Sequence, residues 1–220
     1  MLELLFPTRC VACGDAGELV CEQCFASLRP LSPPWCALCG APTMWPVERC
    51  RECSGRRLPF TSARAAVAYD GPIRPLVAAW KELGLRRAAH LAAELVVGAV
   101  PRPTVLAIAH VPPDARRALR RGAHPAEQLA RALAERWQLD PAPPLHRRTV
   151  ANNTRQVGLS RELRARNVRD AFTADESPPS VVLVDDVYTT GATVAAAATA
   201  LRRAGADRVE VVTFARTVRG

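Results

Sequence analysis

The chain has 220 residues, 49 % of them hydrophobic and 23 % charged, which is the composition of a globular protein with room for one full domain and a small one. No apolar run approaches the ~18 residues of a membrane span, and Met1-Leu2-Glu3-Leu4-Leu5-Phe6-Pro7 is too short and too acidic for a secretory signal, so the expected location is the cytoplasm. The formal charge of +9 counts all eight cysteines as neutral, and holding two Zn²⁺ with four thiolates each would bring it to about +5, a mild excess compatible with phosphate or single-strand binding that argues for neither.

All eight cysteines fall in the first 53 residues, as Cys-x-x-Cys pairs at Cys10/Cys13, Cys21/Cys24, Cys36/Cys39 and Cys50/Cys53. Each pair sets two thiolates on one side of a tight loop, and two such loops close a tetrahedron around Zn²⁺. Gly14 and Gly40 follow two of the pairs directly and let the backbone turn back toward the sulfurs. The spacing is compatible with sequential sites (10, 13, 21, 24 and 36, 39, 50, 53) and with interleaved ones. Disulfides are disfavoured without a secretion signal, and four copies exceed what a redox centre needs. With all four positions filled, such sites are structural, and they staple a loop-rich module expected over residues 1–58.

From residue 62 to 220 the texture becomes that of an α/β domain. A strand is predicted at 65–69, helices at 72–83 and 86–97, a second strand at 105–109, and a helix at 125–137 with Leu129, Leu133 and Trp137 on one face. Alternating strands and helices imply a parallel, doubly wound sheet. The helix at 72–83 carries Lys81, the one lysine among 30 basic residues, a compact charge suited to a phosphate. Between 141 and 170 lies a polar, Arg-rich segment including Arg155, where Ser160 is a candidate helix cap and the cations could close over a pyrophosphate.

Val181-Val182-Leu183-Val184 reads as a buried parallel strand that delivers Asp185 and Asp186, followed by Tyr188-Thr189-Thr190-Gly191-Ala192-Thr193 opening a helix. Ligands of open α/β sheets bind beyond the strand carboxyl ends, a helix start offers unpaired N–H groups to a phosphate, and adjacent carboxylates accept from a vicinal diol. There is no Gly-x-Gly-x-x-Gly after a strand and no Walker A motif. A response-regulator receiver also begins with a strand ending in paired Asp, but it needs roughly a hundred further residues. Only 34 follow Asp186.

This stretch closely resembles the phosphoribosyl pyrophosphate (PRPP) signature of type I phosphoribosyltransferases. The resemblance implies that Asp185 and Asp186 hold the ribose hydroxyls, in the place of the catalytic acidic pair, and that Thr189, Thr190, Gly191, Ala192 and Thr193 wrap the 5′-phosphate. Together with the cysteine array, Trp80-Lys81-Glu82-Leu83-Gly84, and the run from Gln156-Val157-Gly158 to Asp170-Ala171-Phe172, the whole chain resembles the ComF group of competence proteins, including its GntX-like members. That likeness implies a zinc-ribbon module joined to a phosphoribosyltransferase-like domain, with Mg²⁺ accompanying PRPP. The loop after Ala109, with Pro112, then meets the pyrophosphate together with Lys81 and Arg155. Two functions follow. One is a non-catalytic adaptor that binds PRPP while handling single-stranded DNA during transformation, with the zinc module docking a protein partner. The other is an active transferase moving ribose 5-phosphate to an unknown base or amine, for which the sequence offers no evident general base. With 5 % aromatic residues and scattered tryptophans, any strand binding is expected to be electrostatic and salt-sensitive. Two departures stand out. The family's Val-Pro-Val-Pro run is Ala109-His110-Val111-Pro112 here, and its Arg-Gly-Phe-Asn-Gln-Ala-Glu is Arg121-Gly122-Ala123-His124-Pro125-Ala126-Glu127, with His124 a partial substitute for the lost amides.

Overall fold

The computed structural model describes residues 8–113, 124–148 and 171–218. Its elements are α1 (Glu22–Ala26), β1 (Ser62–Ala68), α2 (Ile73–Leu83), α3 (Arg86–Ala99), β2 (Ala107–His110), α4 (Pro125–Trp137), β3 (Asp140–Pro141), β4 (His146–Arg147), β5 (Phe172–Thr173), β6 (Ser180–Tyr188), α5 (Ala192–Arg203) and β7 (Arg208–Arg216). Five strands form one parallel sheet in the order β1-β7-β6-β2-β3, and β4 and β5 make a small antiparallel pair beside it. None of the described helices is long and apolar enough to cross a membrane.

The β6 sequence explains why it lies inside the sheet. Val182 and Val184 pack with Trp80, Ala92, Val96, Leu129 and Leu133 from α2, α3 and α4 on one face, whereas Val181 and Leu183 pack with Val194, Ala197 and Leu201 of α5 on the other. A strand covered on both faces must be apolar at successive positions, so it shows a continuous run and no alternation. The expected strand at 181–184 therefore proves to be only the first half of an element that continues through the acidic pair to Tyr188. β7, a central strand, is absent from the expected set. The other predicted elements fall within three residues of their observed ends.

The small α2 cap illustrates the local logic. Pro72 precedes the helix at a position where its missing N–H costs nothing, and Gly84 ends it in the left-handed region at φ 62°. Trp80, fully buried, fixes the helix against the sheet: its Nε1 donates to Gln128 Oε1 at 2.7 Å and its ring meets Phe214 of β7 edge-on at 6.3 Å.

The cysteine-rich segment lies along the free edge of β1. Leu31 N donates to Ala66 O at 2.8 Å, Ala68 N to Arg29 O at 2.9 Å, and Ala63 N to Leu38 O at 2.8 Å. These bonds satisfy edge groups that would otherwise template pairing with another chain. The closest approach is at Gly40, with φ +70°, where a Cβ would overlap the carbonyl of Ala63. Gly40→Ala is expected to cost about 2–4 kcal/mol through left-handed strain and this collision, a fall in Tm of roughly 5–15 °C by thermal unfolding. A wild-type Tm would show that the segment does not dock on β1 as described.

Candidate functional site

The sheet reverses its direction of growth between β2 and β6. From β2 the chain proceeds through α4 to β3 on one side, and from β6 it proceeds through α5 to β7 on the other. Ligand crevices of open α/β sheets form at such switch points. Here the crevice arises because β2 stops early. Its pairing with β6 ends at His110 opposite Val184, Val111 N makes one more bond to Val184 O at 2.9 Å, and the chain turns away through Pro112 and Pro113. On its other edge β6 stays paired with β7 as far as Tyr188 opposite Arg216. Asp185 and Asp186 therefore emerge on backbone that is held on one edge and open on the other.

The two carboxylates lie close enough to interact with each other and with Lys81. Asp186 Oδ2 accepts from Lys81 Nζ at 2.7 Å, a contact aimed by the buried Trp80 next to it. Beyond the end of β2, Asp186 N is met by Asp185 Oδ1 at 2.9 Å and Val187 N by Asp186 Oδ1 at 2.7 Å. Burial, reinforced by the neighbouring charge of Asp186, pushes the Asp185 carboxyl well above its usual range, against the opposing pull of the Asp186 N–H and Lys81.

Thr189, Thr190, Ala192 and Thr193 are exposed, and Gly191 caps α5 in the left-handed region at φ 74°. A side chain at 191 would run into the hydroxyl and ring of Tyr188, so this position is restricted twice over, by conformation and by space. The turn brings the N-terminus of a 12-residue helix, where Ala192 N donates to Thr190 Oγ1 at 3.4 Å, to the same end of the sheet as the acidic pair. Thus Asp185, Asp186, Lys81 and the Thr189–Thr193 turn gather at one crevice, with Pro112 on the adjoining loop. Arg155 and Ser160 lie outside the described residues.

The two departures in sequence prove to be neighbours: the His110 and His124 rings lie 6.2 Å apart at the end of β2 and the start of α4. Burial lowers the pKa of both, and for His124 the His110 ring lowers it further. His124 Nδ1 accepts from Glu127 N at 3.4 Å, which makes it the N-cap of α4.

The cysteines form two groups, Cys10, Cys13, Cys21, Cys24 and Cys36, Cys39, Cys50, Cys53, so the pairing is sequential. Within each group all sulfurs lie within 4.8 Å of one another, and Sγ–Sγ distances of 3.5 Å (Cys13–Cys21), 3.6 Å (Cys36–Cys53) and 3.5 Å (Cys39–Cys50) are close to the ~3.8 Å edge of a tetrahedron with Zn–S bonds of about 2.3 Å. Burial raises the Cys36 pKa, but N–H donors from Cys39 and Cys50 outweigh it and bring the thiol down to about 7. At Cys10 burial is likewise overcome, by N–H groups of Cys21, Cys13 and Ala12, to about 6. These donors favour the thiolate at Cys36 and Cys10, whereas burial raises the thiols of Cys24, Cys39 and Cys53. Both groups fit structural Zn²⁺.

Residues 1–54 match the family model described as a double zinc ribbon domain, and residues 118–219 match that of a phosphoribosyl transferase domain. Fold and site together define a phosphoribosyltransferase-type α/β domain carrying a double zinc ribbon. The chain is 30 % identical over 219 residues to the DNA utilization protein YhgH of Escherichia coli K12, covering 90 % of this chain and 91 % of that protein. It is 31 % identical over 211 residues to YhgH of Salmonella typhimurium, with the same coverage, and 28 % identical over 229 residues to competence protein F of Haemophilus influenzae, covering 96 % and 98 %. The chain belongs to this ComF family. Among solved structures, orotate phosphoribosyltransferase from Aeropyrum pernix is similar at 22 % identity with a TM-score of 0.37, covering 68 % of this chain and 67 % of that one.

Metal analysis of the purified protein is expected to give two zinc ions per chain, and a ratio near one would rule out two filled sites. The elevated Asp185 pKa makes a second prediction. Where the unfolded carboxyl has ionised and the folded one resists, stability falls as pH rises, so Asp185→Asn removes a penalty that grows with pH. Calorimetry should show the variant melting roughly 2–4 °C above wild type at pH 8, with the gap closing as pH falls toward the ordinary value of 3.8. A gap that widens on acidification would contradict the assigned direction.

Proposed function

We propose that the crevice at the end of β6 binds the phosphoribosyl group of PRPP, with the ribose diol accepted by Asp185 and Asp186 and the 5′-phosphate seated on the turn from Thr189 to Thr193. The observation that carries this reading is the convergence of a carboxylate pair and an exposed helix N-terminus at one switch point of the sheet. Lys81, already within 2.7 Å of Asp186, supplies the nearest positive charge for the pyrophosphate, with the Pro112 loop and Arg155 as its companions. Magnesium enters with the ligand: it favours one or two carboxylates plus phosphate oxygens, a donor set that Asp185, Asp186 and a pyrophosphate provide. When bound, it would offset the negative charge of the phosphates.

The names of the relatives, DNA utilization protein and competence protein, support a role for this phosphoribosyl-binding protein in handling DNA. Single-stranded DNA and a protein partner docked on the zinc ribbons complete the proposed set of partners, in the cytoplasm. The adaptor reading is preferred over turnover because the loops beside the acidic pair depart from the family's pattern at His110 and His124.

Calorimetric titration with PRPP and Mg²⁺ tests the ligand. Wild type is expected to bind, and Asp185→Asn/Asp186→Asn to bind roughly 10²- to 10⁴-fold more weakly, because hydrogen bonds to charged acceptors contribute about 1.5–3 kcal/mol each. Absence of binding by wild type would refute the reading. Pyrophosphate release on adding bases or amines would instead establish a transferase, and a parallel titration with labelled single-stranded DNA at rising salt reads the electrostatic strand contact.

A further inference from the structure

The second cysteine group is joined to the phosphate turn by a buried guanidinium. Arg216, the last residue of β7, is 2 % exposed. Its Nη1 donates to the carbonyl oxygen of Cys39 at 2.5 Å, and its Nη2 donates to Glu52 Oε2 at 2.7 Å and lies 3.9 Å from Cys39 Sγ. The guanidinium carbon sits 4.6 Å from the centroid of the Tyr188 ring, within cation–π range. Tyr188 is the ring on which Gly191 rests, so close that no side chain fits between them. One path therefore runs from a zinc ligand through Arg216 and Tyr188 to the cap of α5.

A second path reaches the same turn from the side. Arg56 Nη2 donates to Thr190 O at 2.8 Å. The backbone of Arg56 is itself held by the second ribbon, since its N–H donates to Cys53 O at 3.2 Å and its carbonyl accepts from Arg49 Nη1 at 3.0 Å. Both paths start at ligands of the second group, Cys39 and Cys53, and neither involves Cys10, Cys13, Cys21 or Cys24.

Taking the phosphoribosyl reading of the turn as given, we propose that the second zinc ribbon is a wall of the sugar-phosphate site, with Arg216 and Arg56 as positioning residues that couple metal occupancy at Cys36, Cys39, Cys50 and Cys53 to anion binding on the turn. Zinc fixes the Cys39 carbonyl and the ribbon backbone around Glu52, these fix the guanidinium, and the guanidinium fixes the ring beneath Gly191. A turn held in its binding conformation in advance pays no ordering cost when the phosphate arrives. Arg is suited to the task because its rigid planar fork donates in two fixed directions while its flat face stacks on an aromatic ring, and the Lys ammonium has neither the fork nor the face.

Energetic coupling is reciprocal: if zinc at this site favours ligand on the turn, ligand must favour zinc by the same factor. The zinc-loaded full chain is titrated with a chromogenic chelator of known affinity, with and without saturating ribose 5-phosphate. The expected result is that ribose 5-phosphate tightens one of the two zinc ions by about 5- to 50-fold and leaves the other unchanged, within the usual span of such couplings. In Arg216→Lys the factor should fall below about twofold with two zinc ions still bound, and in Arg56→Ala it should fall to an intermediate value. A purely structural Arg216 would lower Tm without changing this factor. The proposal is overturned if ribose 5-phosphate binds wild type and tightens neither zinc, or if both variants keep the wild-type factor. Should Arg216→Lys not fold, Arg56→Ala, altered at a partly exposed side chain, decides alone. Failure of wild type to bind ribose 5-phosphate would overturn the phosphoribosyl reading and this coupling with it, an outcome distinct from binding without coupling.

Discussion

The site depends on an inequality between the two edges of β6. Up to Val184 the strand is bonded to β2 on one side and β7 on the other, and beyond it, among the described residues, only the β7 ladder continues. Had β2 run on, Asp185 and Asp186 would be interior sheet residues with nowhere to meet a ligand. Had β7 stopped as well, they would sit on a loop with no fixed direction. One intact ladder gives the carboxylates rigid backbone, and the missing one gives them an opening. Two like charges are thereby held side by side, with Lys81 of α2 paired to Asp186 and offsetting part of their repulsion.

The same ladder carries the chain into contact with its cysteine module. β7 ends at Arg216, and that residue is committed to Cys39 and Glu52 of the second ribbon. A segment of ~55 residues with little apolar periodicity has a marginal core of its own. Here its small clusters around Cys36, Cys39 and Cys53 are supplemented by backbone bonds to the edge of β1 and by a buried ion pair. The dependence is mutual, because β1 would be an open edge without the ribbon and Arg216 would be a buried charge without Glu52.

Much of this was legible in the sequence where local chemistry is diagnostic. Cys-x-x-Cys spacing marks zinc, and an apolar run delivering Asp185 and Asp186 before a Thr-Thr-Gly-Ala-Thr turn marks a strand, turn and helix of a phosphoribosyltransferase-type domain. Lys81 stood out because it is alone among arginines, and the structure brings it to Asp186. The end of the strand was not legible, since nothing in Val187-Tyr188 distinguishes a ladder continuing on one edge from a loop. β7 also escaped notice, although Val209, Val211, Val212 and Phe214 form the kind of buried run that marked β6. Arg216 could not be singled out at all. In a chain this rich in arginine, a structural guanidinium and a solvated one have the same letter, and only the packing of Cys39, Glu52 and Tyr188 around it tells them apart. Sequential and interleaved cysteine pairing likewise differ only in three dimensions.

The departures at His124 and Pro125 show how a family pattern can change while its architecture persists. Asparagine at the family's position has a side chain suited to capping a helix, and His124 does so here through Nδ1. Proline in place of the following glutamine falls at the first turn of α4, where an absent N–H leaves no bond unmade. The helix start is therefore retained, and what changes is the chemistry offered to the crevice. His110 and His124 face each other there with pKa values lowered by burial, so near neutral pH this wall presents uncharged rings. Among the described residues, positive charge is brought here by Lys81 at Asp186 and by Arg56 at the Thr190 carbonyl. On the phosphoribosyl reading, a phosphate that recruits Lys81 must also loosen its pairing with Asp186. On that reading, binding of the two halves of the ligand is linked through one ammonium group, held next to the buried Trp80.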